Sequence, residues 1–205
     1  MNRIFSLTPH SNESYAFGDA PSLSSNQKAH QFLVPARAAA DRPQVRRCRA
    51  CGNILDKWRT SLAGLKVKKR NLDCGGTYDG VLVVSTRFKN WYDSHGFTGL
   101  EFRSLPDDSE FYAIRAMRTV SVDAGRRQVK FIGFCDTCER HAEVIGGYPV
   151  LLTPGQITGD TEFVATDLEF ASYDEKSPIL LCGQRVAKAI RKARLKGLIV
   201  EEQPQ

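Results

Sequence analysis

The sequence predicts an α+β chain of two similar strand-helix-strand halves with mixed sheets, joined through four cysteines. Three observations predict it. A pattern of apolar strand, amphipathic helix and glycine-led strand at 79–103 recurs at 177–201. Two Cys-x-x-Cys pairs, Cys48/Cys51 and Cys135/Cys138, stand far apart in the chain. Finally, 205 residues with 41% hydrophobic and 25% charged side chains are ordinary for a chain that buries a core of its own.

Taken in order, residues 3–7 read as a short strand. Residues 6–44 are rich in Ser, Asn, Ala and Pro with little periodicity, and are expected to form a long surface loop or partly disordered arm. Residues 1–47 therefore precede a cysteine-bearing domain at 48–205. At 64–70, Leu65 and Val67 alternate with Lys66 and Lys68, as in a strand with one wet face. Residues 79–84 are a continuous aliphatic run, as a buried strand would be, and Ser85 is placed to cap a helix through His95. Phe88, Trp91 and Tyr92 fall at i, i+3 and i+4 and form that helix's inward face. Gly96 stops the helix, and 99–103 resumes as a strand with Leu100 and Phe102 inward. Residues 111–115 read as a strand, and Val120 and Val122 are expected to face Val129 and Phe131 across a hairpin turn at 123–126. A short strand around 148–152, a loop over 154–161 and extended chain at 163–171 follow.

The last segment repeats the earlier one: a strand at 177–182, a helix at 183–194 and a strand at 197–201. Shifted by 98 positions, Phe88 meets Val186, Tyr92 meets Ile190, Gly99 meets Gly197 and Leu100 meets Leu198. Each helix is long enough for a crossover between parallel strands, and a helix returning to a neighbouring sheet edge has the same pattern.

The opening MNRIFSLTPHSNESY lacks the apolar run of a signal peptide, so the cytoplasm is the expected compartment. There, paired thiols hold metal more often than they form disulfides. Two thiolates at this spacing on a tight turn can point at one ion, and Gly52 after the first pair eases its turn. Two such turns complete a tetrahedron, so Cys48, Cys51, Cys135 and Cys138 are the expected ligands of one structural Zn2+ in a zinc-ribbon-like site. The alternatives are two unrelated thiol pairs in the core or a redox pair activated by Arg47 and Arg49; Asp136 and Glu139 oppose thiolate formation at the second pair unless a cation is present. His141 is expected to be a surface or packed histidine, Cys74 a single thiol near a turn, and Cys182 a small buried hydrophobe.

The net charge of +6 is unevenly placed: 48–78 carries +5 and 135–181 carries −7. The most basic element is the final helix, where Arg185, Lys188, Arg191, Lys192, Arg194 and Lys196 surround Val186, Ala189, Ile190 and Ala193. Such a face can line a phosphate backbone, although no aromatics interleave with the cations as in single-strand grooves. No run approaches a membrane span. Phosphate-loop, dinucleotide, hydrolase-elbow and zincin motifs are absent, and His141-Ala142-Glu143 follows a Cys-x-x-Cys instead of preceding one as in zinc deaminases. A four-thiolate site has no open coordination position, which argues against an enzyme.

The succession CRACG, TYDGVLVVSTRF, GFTGLEFRSLP, CDTC, TDLEFASYDEKSPILL and LKGLIVEEQP resembles the bacterial double-CXXCG motif family, over residues 45–204. Many members of that family are immunity proteins of polymorphic-toxin systems. The resemblance implies a non-enzymatic protein that binds and neutralises a cognate protein toxin in the producing cell, with Cys48, Cys51, Cys135 and Cys138 matching the family's metal-type pairs. One departure is local: the second pair reads CDTCER, without the glycine that follows the first. The alternative reading is a zinc-stabilised nucleic-acid-binding regulator.

Overall fold

Strands dominate the computed structural model, which describes residues 3–17, 45–156 and 159–204. In order they are β1 (Ile4–Ser11), β2 (Cys74–Gly76), β3 (Leu82–Ser85), α1 (Thr86–Ser94), β4 (Leu100–Ser104), β5 (Phe111–Ala116), β6 (Thr119–Val120), α2 (Ala124–Arg127), β7 (Lys130–Cys135), β8 (Arg140–Ile145), β9 (Phe163–Ser172), a 3-10 turn (Tyr173–Glu175), β10 (Ser177–Gly183), α3 (Gln184–Ala193) and β11 (Leu198–Glu202). The architecture is mixed α+β, with most of the regular secondary structure of the described residues in one sheet and few helices.

The sheet runs β4-β5-β3-β2-β1-β10-β9-β8-β7, with β11 also paired to β1 and β6 to β9. β6 follows β5 after two residues and pairs with β9, so the chain itself, not a ladder, ties the β9 end of the path β5-β3-β2-β1-β10-β9 back to β5. Pairings are antiparallel except β1 with β2 and β6 with β9. β3 and β4 each pair antiparallel with β5, which lies between them. β10 and β11 flank β1 in the same way. The strands around each helix are therefore parallel but not adjacent.

Local chemistry explains the helices. The Ser85 hydroxyl accepts from the Phe88 amide at 3.2 Å and caps α1, a contact worth about 1 kcal/mol. Phe88, Trp91 and Tyr92 are its buried face, and α3 buries Val186, Ala187 and Ile190. Both faces meet Phe5, Leu7, Val84, Leu180 and Phe163 in one shared core. Two further cores cover the opposite strand faces, one around Leu62, Leu65, Val83 and Phe111 and one around Val120, Val164 and Leu181.

Several local expectations are corrected. The first strand extends to Ser11, into the stretch read as loop, while residues 18–44 of the expected arm lie outside the described residues. Residues 64–70 are not a strand: Leu65 and Val67 are buried, but the Val67 amide donates to Asp108 Oδ2 (3.0 Å) and the Lys68 amide to Ser14 Oγ (2.9 Å), so side chains replace a ladder. No hairpin joins Val120 and Val122 to Val129 and Phe131. Asp123 caps the short α2 through its Oδ1 and the Arg126 amide (2.9 Å), Val120 pairs with Thr166, and Val122 bridges to Leu152. Residues 148–152 contribute only that bridge, beside a cis Tyr148-Pro149 bond. No helix among the described residues is long and apolar enough to cross a membrane.

Candidate metal centre

Each cysteine pair sits on a tight turn with matching backbone geometry. In the first, Arg47 bridges to Ile54, the Cys48 amide donates to the Asn53 carbonyl (2.8 Å) and the Gly52 amide to the Cys48 carbonyl (2.9 Å). In the second, at the β7–β8 end, Phe134 is opposite His141, Cys135 is opposite Arg140, and the Glu139 amide donates to the Cys135 carbonyl (2.8 Å). Gly52 and Glu139 both hold positive φ, which turns each chain back after its second thiol.

The turns converge. The four Sγ atoms of Cys48, Cys51, Cys135 and Cys138 all lie within 4.8 Å of one another. Cys48 Sγ is 3.8 Å from Cys135 Sγ, and Cys51 Sγ is 3.5 Å from Cys138 Sγ. No disulfide is formed; all six cysteines are free. A tetrahedron of sulfurs around Zn2+, with bonds near 2.3 Å, has edges of about 3.8 Å. The donor set and its spacing therefore fit a four-thiolate metal ion, and the four cysteines form a possible metal site.

The turn backbones lower the first thiol of each pair. The amides of Cys51 and Ala50 face Cys48 and hold its thiol below the usual range. The amides of Cys138 and Thr137 act likewise on Cys135, bringing it to about 7, whereas burial pushes Cys51 up to about 12.

Cations fasten the turns to each other and to the sheet. The Arg140 guanidinium, on the second turn, donates to the carbonyls of Ile54 (3.0 Å) and Leu55 (2.7 Å) on the first. Arg47 forms a two-point pair with Asp174, 2.9 Å at each contact, and also donates to the Gly52 carbonyl (2.8 Å). Lys176 Nζ donates to the His141 carbonyl, and Lys57 Nζ to the carbonyls of Asp174 (2.6 Å) and Lys176. Burial pushes both lysines below their ordinary pKa. An adjoining cavity of about 420 Å3 is lined by Lys57, Arg140, Glu169 and Lys176 with Leu82 and Leu180.

Residues set aside as ligands lie elsewhere. The His141 ring lies tilted against both Phe131 and Phe134, with centroids at 5.1 and 5.0 Å. Cys74 and Cys182 are buried in the shared core, where burial raises each thiol to about 12. On α3, Arg185, Lys188, Arg191 and Lys192 are exposed, as are Arg194 and Lys196 just beyond it. Sequence reasoning missed Asp174, Lys57, Lys176 and Arg140. One signal existed: Arg140 and Lys176 are the only basic residues in the acidic block 135–181.

No protein-family model and no curated protein matches the chain.

Proposed function

We propose that this is a non-enzymatic zinc-binding protein of the double-CXXCG type, an immunity protein that binds and neutralises a cognate bacterial toxin in the cytoplasm. The observation carrying the proposal is the meeting of two Cys-x-x-Cys turns from distant parts of the chain at four sulfurs that all lie within 4.8 Å of one another. Thiolates in that arrangement suit Zn2+, and four of them leave no position for a substrate or water. Cys48, Cys51, Cys135 and Cys138 would hold the ion, which supplies a cross-link between the two turns when bound.

The same reading takes 79–103 and 177–201 as two copies of one unit. Leu82 and Val84 stand opposite Ile114 and Tyr112, as Leu180 and Cys182 stand opposite Leu7 and Phe5, which supports it. Partner choice in this reading rests on surface charge complementarity, which speeds encounter and excludes wrong partners.

The test is co-expression with the toxin encoded beside its gene. Growth rescue by the wild type, with one zinc per purified chain, is the expected result. Failure of rescue with the chain folded and abundant overturns the immunity reading. The runner-up is a nucleic-acid-binding regulator, favoured by the exposed cations Arg185, Lys188, Lys192, Arg194 and Lys196, none of them ion-paired to a carboxylate among the described residues. Micromolar, steeply salt-dependent binding to duplex DNA or RNA between about 50 and 200 mM salt would favour it.

A further inference from the structure

Resting on the metal reading above, we propose that Lys176 and Arg140 form a cationic shell that sets the charge of the metal centre. The shell favours a divalent ion, whose four-thiolate complex carries two negative charges, over a trivalent one, whose complex carries one.

Four placements support this. First, the block 135–181 holds nine acidic residues and two basic ones, and both basic residues are spent at the cysteine turns. Second, Lys176 is only 6% exposed and Arg140 is half-buried. Third, their hydrogen bonds go to backbone carbonyls, of His141 for Lys176 and of Ile54 and Leu55 for Arg140. Neither forms an ion pair with a carboxylate among the described residues. Fourth, those carbonyls flank the two cysteine turns, so the cations are tied to the segments that carry the four cysteines.

Carbonyls orient a cation without neutralising it, and a buried cation lacking a counter-charge is costly. Glu169 is the one carboxylate that lines the cavity beside Lys176 and Arg140 apart from Asp56. Asp174 is held by Arg47. Deprotonating four thiols around a divalent ion supplies the missing charge at the turns, so cation burial and metal binding support each other. With a trivalent ion half of that charge is lost. Lys176 and Arg140 are thus positioning residues that act through charge, not ligands.

The test uses the full chain, wild type, Lys176→Met, Arg140→Met and Lys176→Arg, with folding checked by circular dichroism. Two readouts are needed: Co2+ affinity, followed by thiolate-to-cobalt absorption in competition with a chelator, and the ferric/ferrous potential of iron-reconstituted protein. The wild type is expected to take one Co2+ per chain. Lys176→Met should weaken Co2+ binding about tenfold and lower the iron potential by about 59 mV for each tenfold loss of preference for the ferrous state. Lys176→Arg should restore both.

If Arg140→Met fails to fold, Lys176→Met decides, because a single carbonyl contact ties its amine. Weakened Co2+ binding with an unchanged potential means a purely structural role and overturns the proposal. So does retention of the Co2+ affinity within twofold and of the potential within about 18 mV, the equivalent of a twofold change. If the wild type itself binds neither Co2+ nor zinc, the metal reading fails and the shell with it.

Discussion

Gly52 and Glu139 hold the same backbone state in the two cysteine turns, at φ 76° and φ 55°, and each donates its amide to the carbonyl of the first cysteine of its pair. A residue with a Cβ pays about 1 kcal/mol or more in this region, whereas glycine does not. The second turn therefore keeps the geometry of the first at a cost. Glu139→Gly is expected to stabilise the protein by about 0.5–1 kcal/mol after glycine's greater freedom in the unfolded chain is subtracted. Gly52→Ala should destabilise it by a similar amount. Urea unfolding of the two variants checks both signs, and a loss of stability in Glu139→Gly would contradict the argument.

The cysteine centre should behave as a unit. Removing the metal with a chelator, or substituting Cys48→Ser, is expected to cost at least about 3 kcal/mol, seen as a drop in Tm of roughly 6–12 °C for a chain of this size. Adding Cys135→Ser to Cys48→Ser should cost little more, because the ion is already lost. Additive losses in calorimetry of the single and double variants would mean that the two turns do not share one ion.

Metal affinity should fall with pH in two stages. In the metal-free protein the Cys51 thiol, raised to about 12 by burial, keeps its proton throughout the neutral range; Cys135, lowered to about 7 by the amides of Cys138 and Thr137, keeps its proton only below that value. Binding as thiolates expels those protons, which makes the bound state the depressed-pKa state and its stabilisation one that is present at high pH and lost on acidification. Above pH 7 the affinity should drop by at least about tenfold per unit as pH falls, and below pH 7 by at least about a hundredfold per unit. A chelator competition series across that range reads the slopes directly; a flat profile would show that no thiol proton is displaced.

Arg47 and Asp174 form the most enclosed ion pair among the described residues, at 14% and 7% side-chain exposure. Removing one partner leaves the other charged and buried, so Arg47→Met should cost about 3–5 kcal/mol. The pair itself is worth less than that, because its own desolvation is costly. Combining Arg47→Met with Asp174→Leu should therefore be milder than Arg47→Met alone, and denaturant midpoints of the three variants test the order.

What the sequence discloses depends on how far apart the cooperating groups are. The cysteine turns were legible because a Cys-x-x-Cys carries its geometry within a few residues. Helix α1 was legible because Ser85, Phe88, Trp91 and Tyr92 encode cap and face together. Strand β2 is three residues long and shows no periodicity. The alternation at Leu65 and Val67 was real burial without a ladder, since the backbone partners are Asp108 and Ser14, distant in sequence. The predicted hairpin at 120–131 failed because Val120 finds its partner on β9, a parallel pairing that leaves no local trace. The Arg47–Asp174 pair spans 127 positions and shows nothing in either segment alone.

Gly99 and Gly197 give the sharpest test of how the two strand-helix-strand stretches are joined. Both have left-handed φ, 96° and 91°, immediately before β4 and β11. A Cβ on Gly99 would lie 2.0 Å from the Phe163 carbonyl oxygen, and one on Gly197 would lie 2.0 Å from that of Cys74. The contacts are also crossed. Gly99, after α1, meets the strand that precedes β10, whereas Gly197, after α3, meets the strand that precedes β3. The backbone reinforces them: the Phe163 amide donates to the Thr98 carbonyl at 2.9 Å, and the Cys74 amide to the Lys196 carbonyl at 3.1 Å. Neither clash can be relieved by turning a side chain, because the obstructing atoms are main chain on both sides. Gly99→Ala and Gly197→Ala should each cost at least about 3 kcal/mol, well above the usual penalty for losing a left-handed glycine on an open surface. Gly96, also left-handed at 62° but with open space around its missing Cβ, is the control; Gly96→Ala should cost only about 1 kcal/mol. Equal losses at all three positions would mean that backbone strain alone governs these sites and that the crossed contacts add nothing.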